Sequence, residues 1–96
     1  MHFDVKYSAE ADDDLVRIAR QHPVAASQII DRIESELSAD PAGVSNRPSF
    51  PHRQHPKYQF WLQTDNGRGY VMVLWQYTQD EEGIVIVGVA MSVIED

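Results

Sequence analysis

Three apolar segments joined by short turns constrain the fold more than any other feature of this chain. The segments are YQFWLQT, YVMVLWQYT and IVIVGVAM, and the linkers between them are DNGRG and QDEEG. Asn-Gly supplies the positive φ angles that a tight hairpin turn needs, and segments rich in β-branched and aromatic residues are typical of strands. The pattern therefore predicts a three-stranded antiparallel meander in which the last two strands are largely buried.

The residue pattern of the N-terminal part predicts one more strand and a helical hairpin. HFDVKY alternates apolar and polar residues, which indicates a half-buried strand. Ser8 stands where a helix N-cap is expected, and Asp12, Asp13 and Asp14 follow where the helix dipole favours acids. They are better explained by the dipole than as a cation site. Apolar residues then recur at helical spacing, and Pro23 ends one helix and opens the next.

The order β-α-α-β-β-β predicts an α+β fold of two layers, with both helices on one face of a four-stranded, mainly antiparallel sheet. The 96 residues suffice for one domain, 1–96. Residues 41–56 show no periodicity and are expected to form an irregular loop. The predicted core consists of Val5, Leu15, Ile18, Ile30, Ile33, Leu37, Leu74, Val85 and Val87.

Composition excludes several classes of function. The formal net charge is −7, so bulk charge disfavours nucleic-acid binding. The chain has no cysteine, which excludes disulfides and thiolate metal sites and fits a reducing cytoplasm. No apolar segment reaches the length of a membrane helix, and MHFDVKYS has no signal-peptide pattern. We expect a cytoplasmic protein that binds no cofactor and no membrane.

The charge is unevenly distributed along the sequence. Residues 41–64 contain no acid, whereas the flanking parts are acidic. Cations in this window can bind phosphates or stabilise developing negative charge, and a histidine can transfer protons near neutral pH. Equally, the window can be a surface loop whose cations pair with the acidic helices, or a site for an acidic partner segment. The candidate catalytic residues are Arg47, His52, Arg53, His55, Lys57 and Arg68.

The two histidines of this window do not predict a metal site. His52 and His55 are three residues apart, a spacing that ligates a metal on a helix. However, Pro51 and Pro56 flank the pair, and no Cys, Asp or Glu lies nearby in the sequence. We expect no bound metal.

Aromatic residues are dense on the predicted meander. Trp61, Trp75 and Tyr77 can pack in the core, stack on bases or anchor a partner. Trp61 shares its strand face with Gln59 and Gln63, which favours exposure on the side away from the helices. The candidate partner-binding residues are Trp61, Trp75, Arg53 and Lys57.

Taken together, these segments resemble the RelE/ParE superfamily, the toxins of type II toxin–antitoxin modules. FDVKYSAEADDDLVRI is similar to the opening strand and capped helix of the family. IIDRIESELSADPAG is similar to its second helix and Asx-Pro-x-Gly stop. KYQFWLQTDNGRGYVMVLWQY and GIVIVGVA resemble its central hairpin and last core strand.

The resemblance implies a growth-inhibiting toxin that a cognate antitoxin neutralises by wrapping its sheet or groove. Members that cut ribosome-bound mRNA carry Lys, Arg, Tyr or His at or after the last strand, and an arginine in the central strand. Here VGVAMSVIED has none of these residues, and Arg68 lies in the turn before YVMVLWQY. A ParE-like, gyrase-directed or degenerate toxin is therefore expected over a nuclease.

Two other functions stay open at this stage. One is a ribosome-dependent mRNA endoribonuclease of the RelE type, in which case the chain is an enzyme. The other is a catalytically inert binding or regulatory module on the same fold, for which a homodimer through the sheet is one form. The net acidity favours the inert module, but a salt-adapted host would produce the same acidity.

Overall fold

The computed structural model describes residues 2–46, 55–65 and 67–95 as a helical layer packed on a mixed sheet. The strands are β1 (Asp4–Tyr7), β2 (Ser45–Asn46), β3 (Lys57–Thr64), β4 (Gly67–Tyr77) and β5 (Gly83–Glu95). The sheet order is β1-β5-β4-β3-β2. β1 runs parallel to β5, and the other neighbouring strands are antiparallel. The predicted α+β class, with its meander and its N-terminal strand in the same sheet, is confirmed.

The helices begin and end where the local chemistry predicts. In α1 (Ala9–Gln21), the hydroxyl of Ser8 accepts a hydrogen bond from the Ala11 amide at 3.1 Å. Pro23 occupies the first turn of α2 (Pro23–Arg32), where its missing N–H costs nothing. α2 continues into a π-helical turn, Ile33–Leu37. None of the described helices has the length and apolarity required to cross a membrane.

The predicted irregular loop at 41–56 is wrong for its first residues. Asp40 caps a short helix α3 (Pro41–Val44) by accepting a hydrogen bond from the Gly43 amide at 3.1 Å. The two residues of β2 then pair with Lys57 and Tyr58 of β3 and add a fifth strand to the four predicted. The sequence offers no apolar alternation over two residues, so this strand had no detectable signal.

One face of the predicted helical core is shifted by one residue. Ile29, Ile33 and Leu37 are completely buried, whereas the predicted Ile30 is 38% exposed. On a normal helix the residues three and four positions before Ile33 both lie on its face, so the apolar spacing alone does not decide between Ile30 and Ile29. The chain forms a π-helical turn from Ile33 to Leu37, and both of these residues pack in the core with Ile29.

The inner face of the sheet also differs from the prediction on β4 and β5. Leu74, Val85 and Val87 are only half-buried, and their neighbours form the core. Both faces of these strands are apolar, so alternation does not reveal which side meets the helices. A β-bulge adds to the difficulty, because Leu74 pairs with Gly88 while Trp75 pairs with Ile86. The buried residues of the sheet include Tyr58, Phe60, Leu62, Val71, Val73, Trp75, Ile84, Ile86 and Val89.

The remaining core predictions are partly confirmed. Leu15 is buried, at 8% exposure. Val5 and Ile18 are half-buried and pack against the core.

Candidate functional site on the outer face of the sheet

The described helices pack on one face of the sheet, so the opposite face, here called the outer face, is where a target or partner can bind. Side chains alternate between the two faces along each strand. The residues that alternate with the buried ones therefore belong to the outer face. On β3 and β4 they are Lys57, Gln59, Trp61, Gln63, Arg68, Tyr70, Met72, Leu74 and Gln76.

Trp61, Tyr70 and Arg68 form an aromatic and cationic cluster on the outer face. The register places Trp61 opposite Tyr70, and their ring centroids are 4.9 Å apart. The guanidinium carbon of Arg68 lies 5.0 Å from the Trp61 ring centroid, which is a cation–π contact. Trp61 is 49% exposed, so the predicted exposure of this residue is confirmed. The cluster offers a flat ring and a positive charge to a ligand.

Trp75, a candidate partner-binding residue in the sequence, does not belong to this surface. The residue is 1% exposed, and its indole N–H donates a hydrogen bond to the Ser45 hydroxyl at 2.8 Å. Its ring meets Tyr77 edge-on at 4.9 Å between centroids. Trp75 therefore packs in the core, the alternative that the density of aromatic residues had left open, and offers no surface to a partner.

Lys57 and Arg68 lie at opposite ends of the outer face. Lys57 pairs with Leu74 near the start of β3, and Arg68 pairs with Gln63 near its end. The prediction that Arg68 lies in the turn is wrong, because β4 begins at Gly67 and includes this arginine. Six residues separate Lys57 from Gln63, or roughly 20 Å of strand. The two cations therefore do not converge on one reacting group. His55 is exposed, and Arg47, His52 and Arg53 lie outside the described residues.

Neither described outer-face cation is neutralised by a carboxylate. The ion pairs of the described residues are Arg17 with Asp14 at 3.3 Å and Arg32 with Glu36 at 3.1 Å, both within the helical layer. Within 2–46, 55–65 and 67–95, no acid lies within 4.0 Å of Lys57 or Arg68. The sequence left open that the cations of the acid-free window pair with acids of the helices. For Lys57 the structure shows no such ion pair within the described residues. Over the same residues, no group of three His, Cys, Asp or Glu is placed to hold a metal.

A polar cluster on the helical side, which the sequence did not predict, ties β3 to the π-helical turn. The Tyr58 hydroxyl donates to Glu36 Oε2 at 2.6 Å, and Arg32 Nη2 donates to the same oxygen at 3.1 Å. The Arg32 guanidinium lies 4.3 Å from the Phe60 ring centroid. The contacts of Tyr58 with Glu36 and of Arg32 with Phe60 join residues more than twenty positions apart, and no local pattern in the sequence signals them.

The electrostatics of this cluster follow from its hydrogen bonds. The hydrogen bond from Tyr58 holds the pKa of Glu36 below its usual value, and Arg32 acts in the same direction. Burial, together with the hydrogen bond to Glu36, raises the pKa of Tyr58 to about 12. Tyr58 is therefore a neutral donor at any physiological pH and serves to fix Glu36 rather than to transfer protons.

Comparisons with known proteins place the fold. No protein-family model matches the chain, and no curated protein matches it. A chain in the crystal structure of the toxin–antitoxin complex RelBE2 from Mycobacterium tuberculosis superposes with a TM-score of 0.69. The match covers 96% of this chain and 100% of that chain, at 15% sequence identity. At this identity the likeness shows a shared fold, and at the level of the fold it confirms the resemblance of the sequence to RelE-type toxins.

Proposed function

We propose that this chain is the toxin component of a type II toxin–antitoxin module, acting in the cytoplasm and neutralised by a cognate antitoxin. The observation that carries the proposal is the fold shared, over 96% of the chain, with a chain of the RelBE2 toxin–antitoxin complex. The independent resemblance of the sequence segments to the RelE/ParE superfamily supports the same conclusion.

The outer face supports a role in binding. Trp61 is half exposed and Arg68 has no carboxylate partner among the described residues. An exposed tryptophan beside an unpaired cation is a common anchor in protein interfaces. We assign the cluster of Trp61, Tyr70 and Arg68 to the surface that contacts the target or the antitoxin.

We further propose that the toxin is gyrase-directed or degenerate rather than a nuclease. RNA cleavage needs groups that deprotonate the 2′-hydroxyl and stabilise charge at one phosphate. On the outer face, Lys57 and Arg68 are roughly 20 Å apart along the sheet. The outward residues of the second half of β5, Ala90, Ser92 and Ile94, carry no charge and include no carboxylate, imidazole, amine or phenol to act as acid or base. A ribosome-dependent mRNA endoribonuclease is the alternative.

Induced expression in a bacterial host tests the toxin assignment. We expect growth arrest, and recovery when the small protein encoded beside this gene is expressed with it. Arg68→Glu should weaken the arrest, because it reverses the charge beside Trp61. Arg20→Glu is the matched control, since Arg20 is an exposed arginine on α1, within the helical layer.

Three readouts separate the possible functions. Arrest with inhibited DNA supercoiling and intact mRNA supports the gyrase-directed toxin. Arrest with ribosome-dependent mRNA cleavage would overturn the non-nuclease assignment. Normal growth at high expression would overturn the toxin assignment and favour the inert binding module. The double change Arg53→Glu with Lys57→Glu tests the acid-free window, and unchanged arrest would make that window an ordinary solvated loop.

A further inference from the structure

Among the residues that the structure describes, the second half of β5 is an open sheet edge. β1 covers only Gly83 to Ile86 of this strand. The next two backbone groups are occupied by α1 and its cap, because the Ser8 hydroxyl donates to the Val87 carbonyl at 3.0 Å and Asp14 Oδ2 accepts from the Val89 amide at 2.9 Å. Beyond Val89 no described residue continues the ladder on this side, whereas β4 pairs with β5 as far as Glu95.

The direction of the free backbone groups follows from the Val89 contact. Backbone N–H and C=O groups of alternate residues point to the same side of a strand. Since the Val89 amide points away from β4, the N–H and C=O groups of Met91 and Val93 do so too. In the described part of the chain, no group bonds to them on that side. An added strand would find these four groups unpaired and in register.

A groove runs beside this edge and has room for side chains. It has a volume of about 410 Å³ and lies between α1 and β5. Ile18 and Met91 line its apolar part, and Val93, which is 36% exposed, lies at its end. Gln21 and His22 form the wall on α1. Side chains at alternate positions of an added strand would enter this groove, and those between them would extend the outer face.

Charge identifies the occupant. The chain has a net charge of −7, β5 contains no base, and Glu95 ends the open edge. Arg17, the cation of the groove, is already paired with Asp14. A second copy of this chain would therefore bring like charge and no base to the edge. A segment with lysine or arginine at its ends meets opposite charge instead.

We propose that the edge from Met91 to Glu95 binds an extended, basic segment of another protein by strand addition. In this mode the main chain supplies the affinity and alternate side chains supply the specificity. The proposal concerns a surface at the side of the sheet, separate from the cluster of Trp61, Tyr70 and Arg68. It does not depend on toxin activity, so a failure of growth arrest leaves it standing.

A synthetic peptide tests the proposal on the full chain. The probe is acetylated, about seven residues long, with valine at alternate positions and lysine at both ends. We expect it to shift the amide resonances of Met91 and Val93 and to slow their hydrogen exchange, leaving those of Trp61 and Tyr70 unchanged. A version N-methylated at alternate backbone amides should not bind. Equal binding of the methylated peptide, or shifts confined to the outer face, would overturn strand addition.

Val93→Pro provides the test on the protein side. Proline removes an N–H that points to the open edge and is not used in the β4 ladder, a position where sheets tolerate it. We expect binding of the peptide to weaken about tenfold or more. The matched control Val93→Ala keeps the N–H and should bind within about threefold of the parent.

Two results would contradict the proposal here. One is unchanged binding by a folded Val93→Pro variant. The other is a concentration-dependent dimer of the parent that Val93→Pro abolishes, which would assign the edge to a second copy. If Val93→Pro does not fold, the methylated peptide decides the question on the parent chain.

Discussion

Ile29 and Ile30 are identical neighbours with opposite environments, and this is where sequence periodicity stops being sufficient. Ile29 is completely buried, whereas Ile30 is 38% exposed. The apolar spacing fits either residue on a normal helix, and only the packing of the folded chain shows that Ile29 is the one in the core. The burial of Leu15, Ile33 and Leu37 could be predicted, because the helical spacing places them on the apolar face whether Ile29 or Ile30 faces the core. For Trp75 the sequence left core packing and partner binding open, since β4 is apolar on both faces.

Ile33→Asp tests the helical core. Ile33 is completely buried, so the aspartate would place an unpaired charge there and lower the free energy of unfolding by roughly 3–5 kcal/mol. Ile30→Asp is the matched control, with an expected loss of about 1 kcal/mol or less. Urea denaturation measures both variants. Similar losses for the two would mean that the helix presents a different face to the sheet.

Ser45→Ala tests the buried end of Trp75. The indole N–H would lose its acceptor inside the core, since the Ser45 hydroxyl accepts it at 2.8 Å. An unsatisfied buried donor costs about 1–3 kcal/mol, and the loss should appear as a lower urea midpoint. Ser92→Ala, at an exposed position of β5, should change the midpoint little. A midpoint for Ser45→Ala equal to that of the parent would mean that solvent reaches the indole N–H.

At the scale of elements, the order of helices and strands could be read from the sequence, but their lateral contacts could not. Turn residues and caps are local, so the meander and both main helices were predictable. The parallel pairing of β1 with β5, the bulge at Val87 and the two-residue β2 depend on contacts between distant parts of the chain. The link from Tyr58 to Glu36 belongs to the same class, because it joins β3 to the π-helical turn.

This link should make stability depend on pH in the acid range. The pKa of Glu36 is lowered in the folded state from its ordinary value of 4.5, chiefly by the hydrogen bond from Tyr58. A lowered folded pKa contributes stability above the unfolded pKa, and this contribution is lost as pH falls through the folded pKa. Tyr58→Phe removes the main cause.

Unfolding free energies of the parent and Tyr58→Phe, measured from about pH 3 to pH 7, test this link. We expect a constant difference above about pH 5 and a smaller one below pH 4.5, the ordinary value for Glu36. The Glu36 side chain is 47% exposed, so solvent screening keeps the change small. A difference that grows with acid would exclude Glu36 as the titrating partner.

For the whole molecule, the sequence established the uneven charge and the structure shows where part of it lies. The helical layer and the turn before β5 carry most of the acids, and of the window's cations the described Lys57 lies on the outer face. The arrangement supports the expectation that the acid-free window meets something negative, whereas the open edge of β5 suits something positive. Two surfaces that favour partners of opposite charge are consistent with a chain that binds both a target and a neutralising protein.

Salt should therefore act in opposite directions on the free chain and on its complex with a basic segment. With a net charge of −7, the excess carboxylates repel one another in the compact folded state and destabilise it. Raising the salt concentration from about 0.1 M to about 1 M shortens the Debye length from about 10 Å to about 3 Å. We expect this to raise the melting temperature of the isolated chain, independently of protein concentration. The two ion pairs of the described residues lie in the helical layer, with Arg17 70% exposed, so screening them removes little stability.

The same increase in salt should weaken binding of the lysine-ended peptide, because screening removes its attraction to the acidic edge. At low salt, saturating peptide should raise the melting temperature, since a ligand that binds only the folded state stabilises it by about 2.7 kcal/mol at 100 times its Kd. Calorimetry at both salt concentrations, with and without peptide, measures the two effects together. A free chain that melts lower in salt would mean that attractive pairs outweigh the net charge, and binding unaffected by salt would mean that main-chain and apolar contacts alone hold the segment.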